Sequence, residues 1–191
     1  MTVGTNLRDD LPLARPVGYR QRMASPLTIL LVGESWFTYS IHQKGFDTFQ
    51  TADYTEGATD FIAALRDLGD EVRYIPAHRV DSDFPAEPSG LAGIDVVVLS
   101  DVGANTFLLG EATFGRSEVV PNRLEALASW VRGGGALLMV GGYMSFSGID
   151  GKARYGRSPL ADVLPVRMVD HDDRTEVPEG FVPEVVVPGH P

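Results

Sequence analysis

The apolar positions of this chain fall into short runs and helical stripes that alternate along its length. From Leu27 to Val32 the run LTILLV is apolar on both faces, the pattern of a strand covered from two sides in a parallel sheet, and Gly33 ends it. Phe61, Ala64, Leu65 and Leu68 recur at i, i+3, i+4 and i+7, which predicts a helix with one apolar stripe that Gly69 can terminate. Glu71 to Ile75 predicts a second strand, Asp95 to Ser100 (DVVVLS) a third, and Ala136 to Val140 (ALLMV) a fourth, closed by Gly141 and Gly142. Ahead of the fourth strand, Asn122 is placed to cap a helix whose apolar face is Leu124, Leu127, Ala128 and Val131. Glu125 stands where it can reach back in a capping box, and Gly133, Gly134 and Gly135 stop the helix.

Buried strands alternating with amphipathic helices imply βα units with right-handed crossovers. The expected fold class is therefore α/β, a flavodoxin-like three-layer sandwich with a mainly parallel sheet. Glu34 to Gly57, rich in aromatic and polar residues, reads as a long loop, and loops of that length in compact domains are usually functional or locally structured. Asp81 to Pro88 (DSDFPAEP) reads as an acidic, proline-broken surface loop. Residues 1–25 carry Arg8, Arg15, Arg20 and Arg22 without periodicity and read as an irregular arm dispensable to the core, which leaves 26–191 as one α/β domain. Beyond Leu164 the pattern fades into proline-interrupted acidic chain, where only PEVVVP looks like another strand.

Composition narrows the function more than the fold. A chain of 191 residues is long enough for one domain with a real core. Its net charge of −10 has the wrong sign for condensation onto phosphate backbones, so nucleic acid is not an expected partner. Cysteine is absent, which removes disulfides, thiolate metal sites and a thiol nucleophile. No apolar stretch nears the roughly 20 residues that span a bilayer, and the N-terminus lacks a signal-peptide core; no membrane partner is expected, and the compartment expected is the cytoplasm.

In an open parallel α/β sheet, ligands bind outside the carboxyl ends of the strands. That rule selects Gly33 to Trp36, Asp101 to Asn105 and Gly141 to Ser145. Strands sit about 4.8 Å apart, so if those of Leu27, Val96 and Leu137 are neighbours, the residues that follow them lie within roughly 10 Å of each other. Glu34 and Asp101 then form a pair of carboxylates suited to acid/base work, with Tyr143 beside them as a third candidate catalytic residue. The plain alternative is that each carboxylate caps a loop or a following helix. Ser35, Trp36, His42, Asn105, Gly142 and Ser145 are candidate contacts to a small polar metabolite. Arg154 joins them because Lys152, Arg154 and Arg157 make a cationic run that could receive a carboxylate or phosphate. The turn after ALLMV has the layout of a nucleophile elbow, yet it presents Gly142 or Tyr143, neither a conventional acyl-transfer nucleophile, and no His lies near Ser145 or Ser147 in sequence. His42, His78, His171 and His190 share no metal-ligand spacing, so neither metal nor cofactor is expected.

The segments ILLVGESW, the aromatic stretch after it, LSDVGANTF and above all GGGALLMVGGYMSFSGIDGKARYGRSPLADVLPV resemble the glutamine amidotransferase-like family of the class I amidotransferase superfamily. The resemblance covers Leu27 to Val166 and continues more weakly to the end. It implies the flavodoxin-like fold. It also implies that the chain stops at Gly189-His190-Pro191 before a final strand and helix of the family domain. True class I amidotransferases place a Cys at the elbow, with a His and Glu from the C-terminal part; this chain has Gly142 or Tyr143 there, so the glutaminase reaction is not expected to carry over. The expected protein is thiol-free, amidotransferase-like, cytoplasmic and homo-oligomeric. It binds a small polar metabolite at the strand ends, and any catalysis is acid/base. A non-catalytic scaffold or assembly subunit, and a divergent hydrolase using Ser145 or an acid-activated water, are the alternatives.

Overall fold

The computed structural model describes residues 25–187. The arm expected over residues 1–25 lies outside the described residues but for Ser25, and so does His190. Four strands, β1 (Thr28–Gly33), β4 (Glu71–Ile75), β5 (Val96–Ser100) and β6 (Ala136–Val140), form one sheet in the order β4-β1-β5-β6, every pairing parallel. Alternation sorts each strand between two faces. Leu30, Val32, Val97, Leu99 and Met139 face a large core closed by α4 (Arg123–Arg132), α3 (Ala104–Leu108) and α2 (Val80–Asp83). Ile29, Leu31, Val72 and Val98 face the other side, where Ile62 and Leu65 of α1 (Thr59–Asp67) pack. Helix, sheet and helix layers give the flavodoxin-like α/β fold expected from the pattern.

The largest departure from the sequence reading is the stretch after β1. Glu34 to Gly57 is no loop but an antiparallel hairpin of β2 (Ser35–Lys44) and β3 (Asp47–Glu56), paired without a break from Ser35–Glu56 to Lys44–Asp47. Its two-residue turn is Gly45-Phe46, with φ 66° at the glycine, as tight hairpin turns require. Smaller corrections follow the same logic of local chemistry. The DSDFPAEP segment opens with the short helix α2, and Phe84 within it is buried against Phe107, with ring centroids 5.0 Å apart. Asn122 caps α4 through its side chain, accepting from the amides of Leu124 (3.0 Å) and Glu125 (3.2 Å). The reciprocal half of the capping box is missing, because the Glu125 carboxylate turns along the helix to Ser129 and Arg132. In α1 the stripe rotates: Ile62 and Leu65 meet the sheet, whereas Phe61 and Leu68 stay exposed. Of the expected strand PEVVVP, the described residues 183–187 form no strand and are irregular and exposed.

Candidate functional site

Register brings the selected strand ends together. Gly33 pairs with Ser100, and Ser100 with Val140, so Glu34, Asp101 and Gly141 each follow one of three aligned positions on adjacent strands. The turn from β1 into β2 is made at Gly33, with φ 101°, where a Cβ would lie 2.1 Å from the Ser100 carbonyl oxygen; glycine is required by both the angle and the space. Glu34 follows with φ 46° and Asp101 with φ 47°, both in the left-handed region that costs an ordinary residue about 1 kcal/mol. The Glu34 conformation is held from several sides. Its amide donates to the Ser100 carbonyl (2.7 Å), its carbonyl accepts from the Gly57 amide (2.8 Å), and the Tyr74 hydroxyl donates to the Gly33 carbonyl (3.0 Å). Burial pushes the Tyr74 phenol up to about 12 and so keeps it a donor.

A cavity of about 600 Å³ opens at these ends, lined by Glu34, Asp101, Gly142, Tyr143, Ser145 and, from the chain after the last helical turn, Asp173 to Glu176. The Glu34 carboxylate accepts from the buried Ser100 hydroxyl through Oε2, and Asp101 Oδ1 accepts from the Met144 amide at 2.7 Å. Among the described residues, Glu34 Oε1 and Asp101 Oδ2 make no hydrogen bond, so each carboxylate both buttresses a turn and keeps one oxygen for another partner. Gly142 permits this approach: a Cβ there would sit 2.9 Å from Asp101 Oδ1. Glu34 also borders a second, apolar cavity of about 230 Å³ with Leu31, Phe61 and Val140.

The segment from Asp172 to Glu176 was not selected from the sequence. Arg174 lies 6.0 Å from the centre of the Tyr143 ring and is held at 2.8 Å by Asp172, whose carboxyl the Arg174 hydrogen bonds keep far below the usual range. Asp173 accepts from the amides of Ser147 (2.9 Å) and Gly148 (3.0 Å), which ties this segment to the elbow. No periodic or motif signal marks it; the only cue is the Asp-Asp-Arg cluster.

Of the residues singled out beforehand, Glu34, Asp101, Gly142, Tyr143 and Ser145 line the one cavity, and the other five do not. Ser35 is buried, and its hydroxyl accepts from the Ala77 amide at 2.8 Å. Trp36 is half exposed at the hairpin root against Gly57. His42 stacks on Phe49 (4.5 Å) seven residues along β2 from Ser35, about 23 Å from the root at about 3.3 Å per residue. Asn105 is exposed on α3, and Arg154 lines a separate cavity of about 240 Å³ with Arg157, Asp150 and Asp170. Ser35, Trp36 and Asn105 are close in sequence to a strand end, but a helix or hairpin carries a residue away from that end within a few positions; His42 belongs to the aromatic stretch that forms the hairpin, and Arg154 to a cationic run that lies at the other cavity. Among the described residues no three His, Asp or Glu side chains cluster as a metal site, and no His lines the cavity beside Ser145.

The family model described as "putative glutamine amidotransferase" matches residues 28–191. Two solved structures are similar over most of the chain. One is named a cytoplasmic protein, STM3548, from Salmonella typhimurium, with 49% identity, a TM-score of 0.81, and coverage of 86% of this chain and 67% of that one. The other, the cytoplasmic protein STM1381 from Salmonella typhimurium LT2, has 46% identity and a TM-score of 0.77, covering 84% of this chain and 67% of that one. A comparison with curated proteins finds no match. Among the described residues no helix is long and apolar enough to cross a membrane.

Proposed function

This chain belongs to the glutamine amidotransferase-like family, and from that premise we propose that it is a cytoplasmic member that binds a small, hydroxyl-rich or cationic metabolite at the carboxyl ends of β1, β5 and β6. The observation that carries this reading is the pair Glu34 and Asp101, placed on adjacent strand ends around one cavity, each with a carboxylate oxygen left over. The lining brings Glu34, Asp101, Asp173 and Glu176 against one cation, Arg174, so a ligand bearing hydroxyl donors or positive charge fits better than an anion. Any chemistry there is acid/base, with Glu34 and Asp101 as the exchanging groups and Tyr143 bordering the ligand. Glutamine hydrolysis does not belong to this site. The chain has no cysteine, and Gly142-Tyr143 stands at the elbow where the superfamily carries its thiol.

Thermal-shift and turnover measurements with a panel of polyols, sugars, amino sugars and small amides test the proposal. The expected result is a ligand that raises the melting temperature of the wild type and not of Glu34→Gln or Asp101→Asn. Ammonia release from glutamine should stay at the level of a heat-killed control. A ligand that stabilises all three proteins equally, or a panel that stabilises none, overturns the assignment.

A further inference from the structure

The β2–β3 hairpin gathers an apolar strip on one face, and beyond its root no described residue covers that strip. With a side-chain period of two, one face collects Phe37, Tyr39, Ile41, Ala52 and Tyr54, with Gln43, Thr48 and Gln50 towards its tip, while the other carries Thr38, Ser40, Thr51, Asp53 and Thr55 between Trp36 at the root and the stacked His42–Phe49 pair. Among the described residues only the root of the apolar face is covered, where His78 stands edge-on to Phe37 (5.7 Å) and Tyr54 (5.2 Å). Further out, Tyr39 and Ile41 are 75% and 72% exposed. An isolated two-stranded hairpin is marginal in water, and alternating apolar residues on a surface strand pair signify a face that something covers.

We propose that a second copy of this chain covers it, the two hairpins packing apolar face to apolar face about a two-fold axis. Area and charge support this occupant. At about 200 Å² for each large side chain, the exposed fractions of Phe37, Tyr39, Ile41 and Tyr54 leave roughly 450 Å² of apolar surface in water. Gln43, Thr48 and Gln50 on the same face extend it towards the about 800 Å² that each partner gives to a standard interface. The protein carries a net charge of −10, so two copies repel over most of their surface. The apolar face of the hairpin, from the Phe37–Tyr54 pair to the Gln43–Thr48 pair, holds no charged side chain, which makes it the place where copies meet at least electrostatic cost. A two-fold contact needs a patch complementary to itself, and a charge-free apolar strip meets that condition without any match of opposite charges.

Sedimentation of the full chain at micromolar concentrations tests the proposal, with circular dichroism to show that each variant is folded. The wild type is expected to be dimeric, Ile41→Glu monomeric, and Ser40→Glu, on the opposite face, dimeric. Should Ile41→Glu fail to fold, Tyr39→Thr, which keeps a strand-favouring residue, is expected to weaken the dimer by about tenfold or more. A monomeric wild type, a dimeric Ile41→Glu, an unweakened Tyr39→Thr or a monomeric Ser40→Glu each overturns it.

Discussion

Glu34 and Asp101 each serve a turn and face a cavity, and single substitutions separate the two roles. Asp101→Asn keeps an oxygen for the Met144 amide and a residue type tolerant of φ 47°, so its folding stability should stay within about 0.5 kcal/mol of wild type. Asp101→Ala removes the acceptor and leaves the strain, and is expected to cost about 1–3 kcal/mol in urea denaturation. If Asp101→Asn lost as much as Asp101→Ala, the negative charge itself would be structural. Tyr155, fully buried, donates from its hydroxyl to the Val102 carbonyl at 2.5 Å and so fixes the loop after β5. Tyr155→Phe leaves that carbonyl without its donor and should cost about 1–3 kcal/mol at neutral pH. Burial raises the pKa of both Tyr155 and Tyr74 above the unfolded value of 10, Tyr74 to about 12. Their neutral forms therefore support the fold fully below pH 10, and that support is lost as pH climbs through 10 towards 12. A melting temperature that falls over this window in the wild type, and less steeply in Tyr155→Phe, is the expected result.

Elements differed sharply in how well the sequence announced them. β4 and β6 occupy the expected ranges because each is a short apolar or alternating run bounded by loop residues, with no competing period. The α4 start was legible because Asn122 has the side chain that caps; Asn122→Ala should cost about 1 kcal/mol in chemical denaturation, and no loss would mean that the tertiary contacts of Leu124 and Leu127 alone hold the helix end. The hairpin was hidden by its aromatic content, which reads as a binding loop when attention goes to residue type. Its alternation was nonetheless there, with Phe37, Tyr39 and Ile41 set against Thr38, Ser40 and His42 and a Gly45 turn between the strands. The cavity was legible for the opposite reason. Strand ends are fixed by the sheet, so Glu34, Asp101 and Gly142 could be placed from topology alone, whereas Arg174 arrives along an irregular segment that no period predicts.

At the scale of the whole molecule the two faces of the sheet are unequally built. Among the described residues, one is sealed by a cluster of nineteen buried apolar residues that joins the sheet to α2, α3, α4 and the turns around Tyr155, the other by five, with no residue of α1 fully buried. Leu138, which pairs with Val98 on the thinner side, is 48% exposed. Hydrophobic stabilisation follows the area removed from water, so cooperativity must be concentrated on the thicker side. Leu127→Ala, in a fully buried position, should cost about 2–5 kcal/mol, and Leu65→Ala, in a part-exposed one, about 1 kcal/mol. The same asymmetry predicts the order of opening. In native-state hydrogen exchange the amides of β5 and α4 should exchange only through global unfolding, with its full denaturant dependence, while those of α1 exchange through a smaller opening of lower free energy. α1 lies beside Glu34 through the Gly57 amide and Phe61, so a ligand gripped by Glu34 should raise the protection of α1 more than that of α4. Equal protection and equal denaturant dependence in α1 and α4 without ligand would show that five residues bind that layer as tightly as nineteen bind the other, and the argument from buried area would fail.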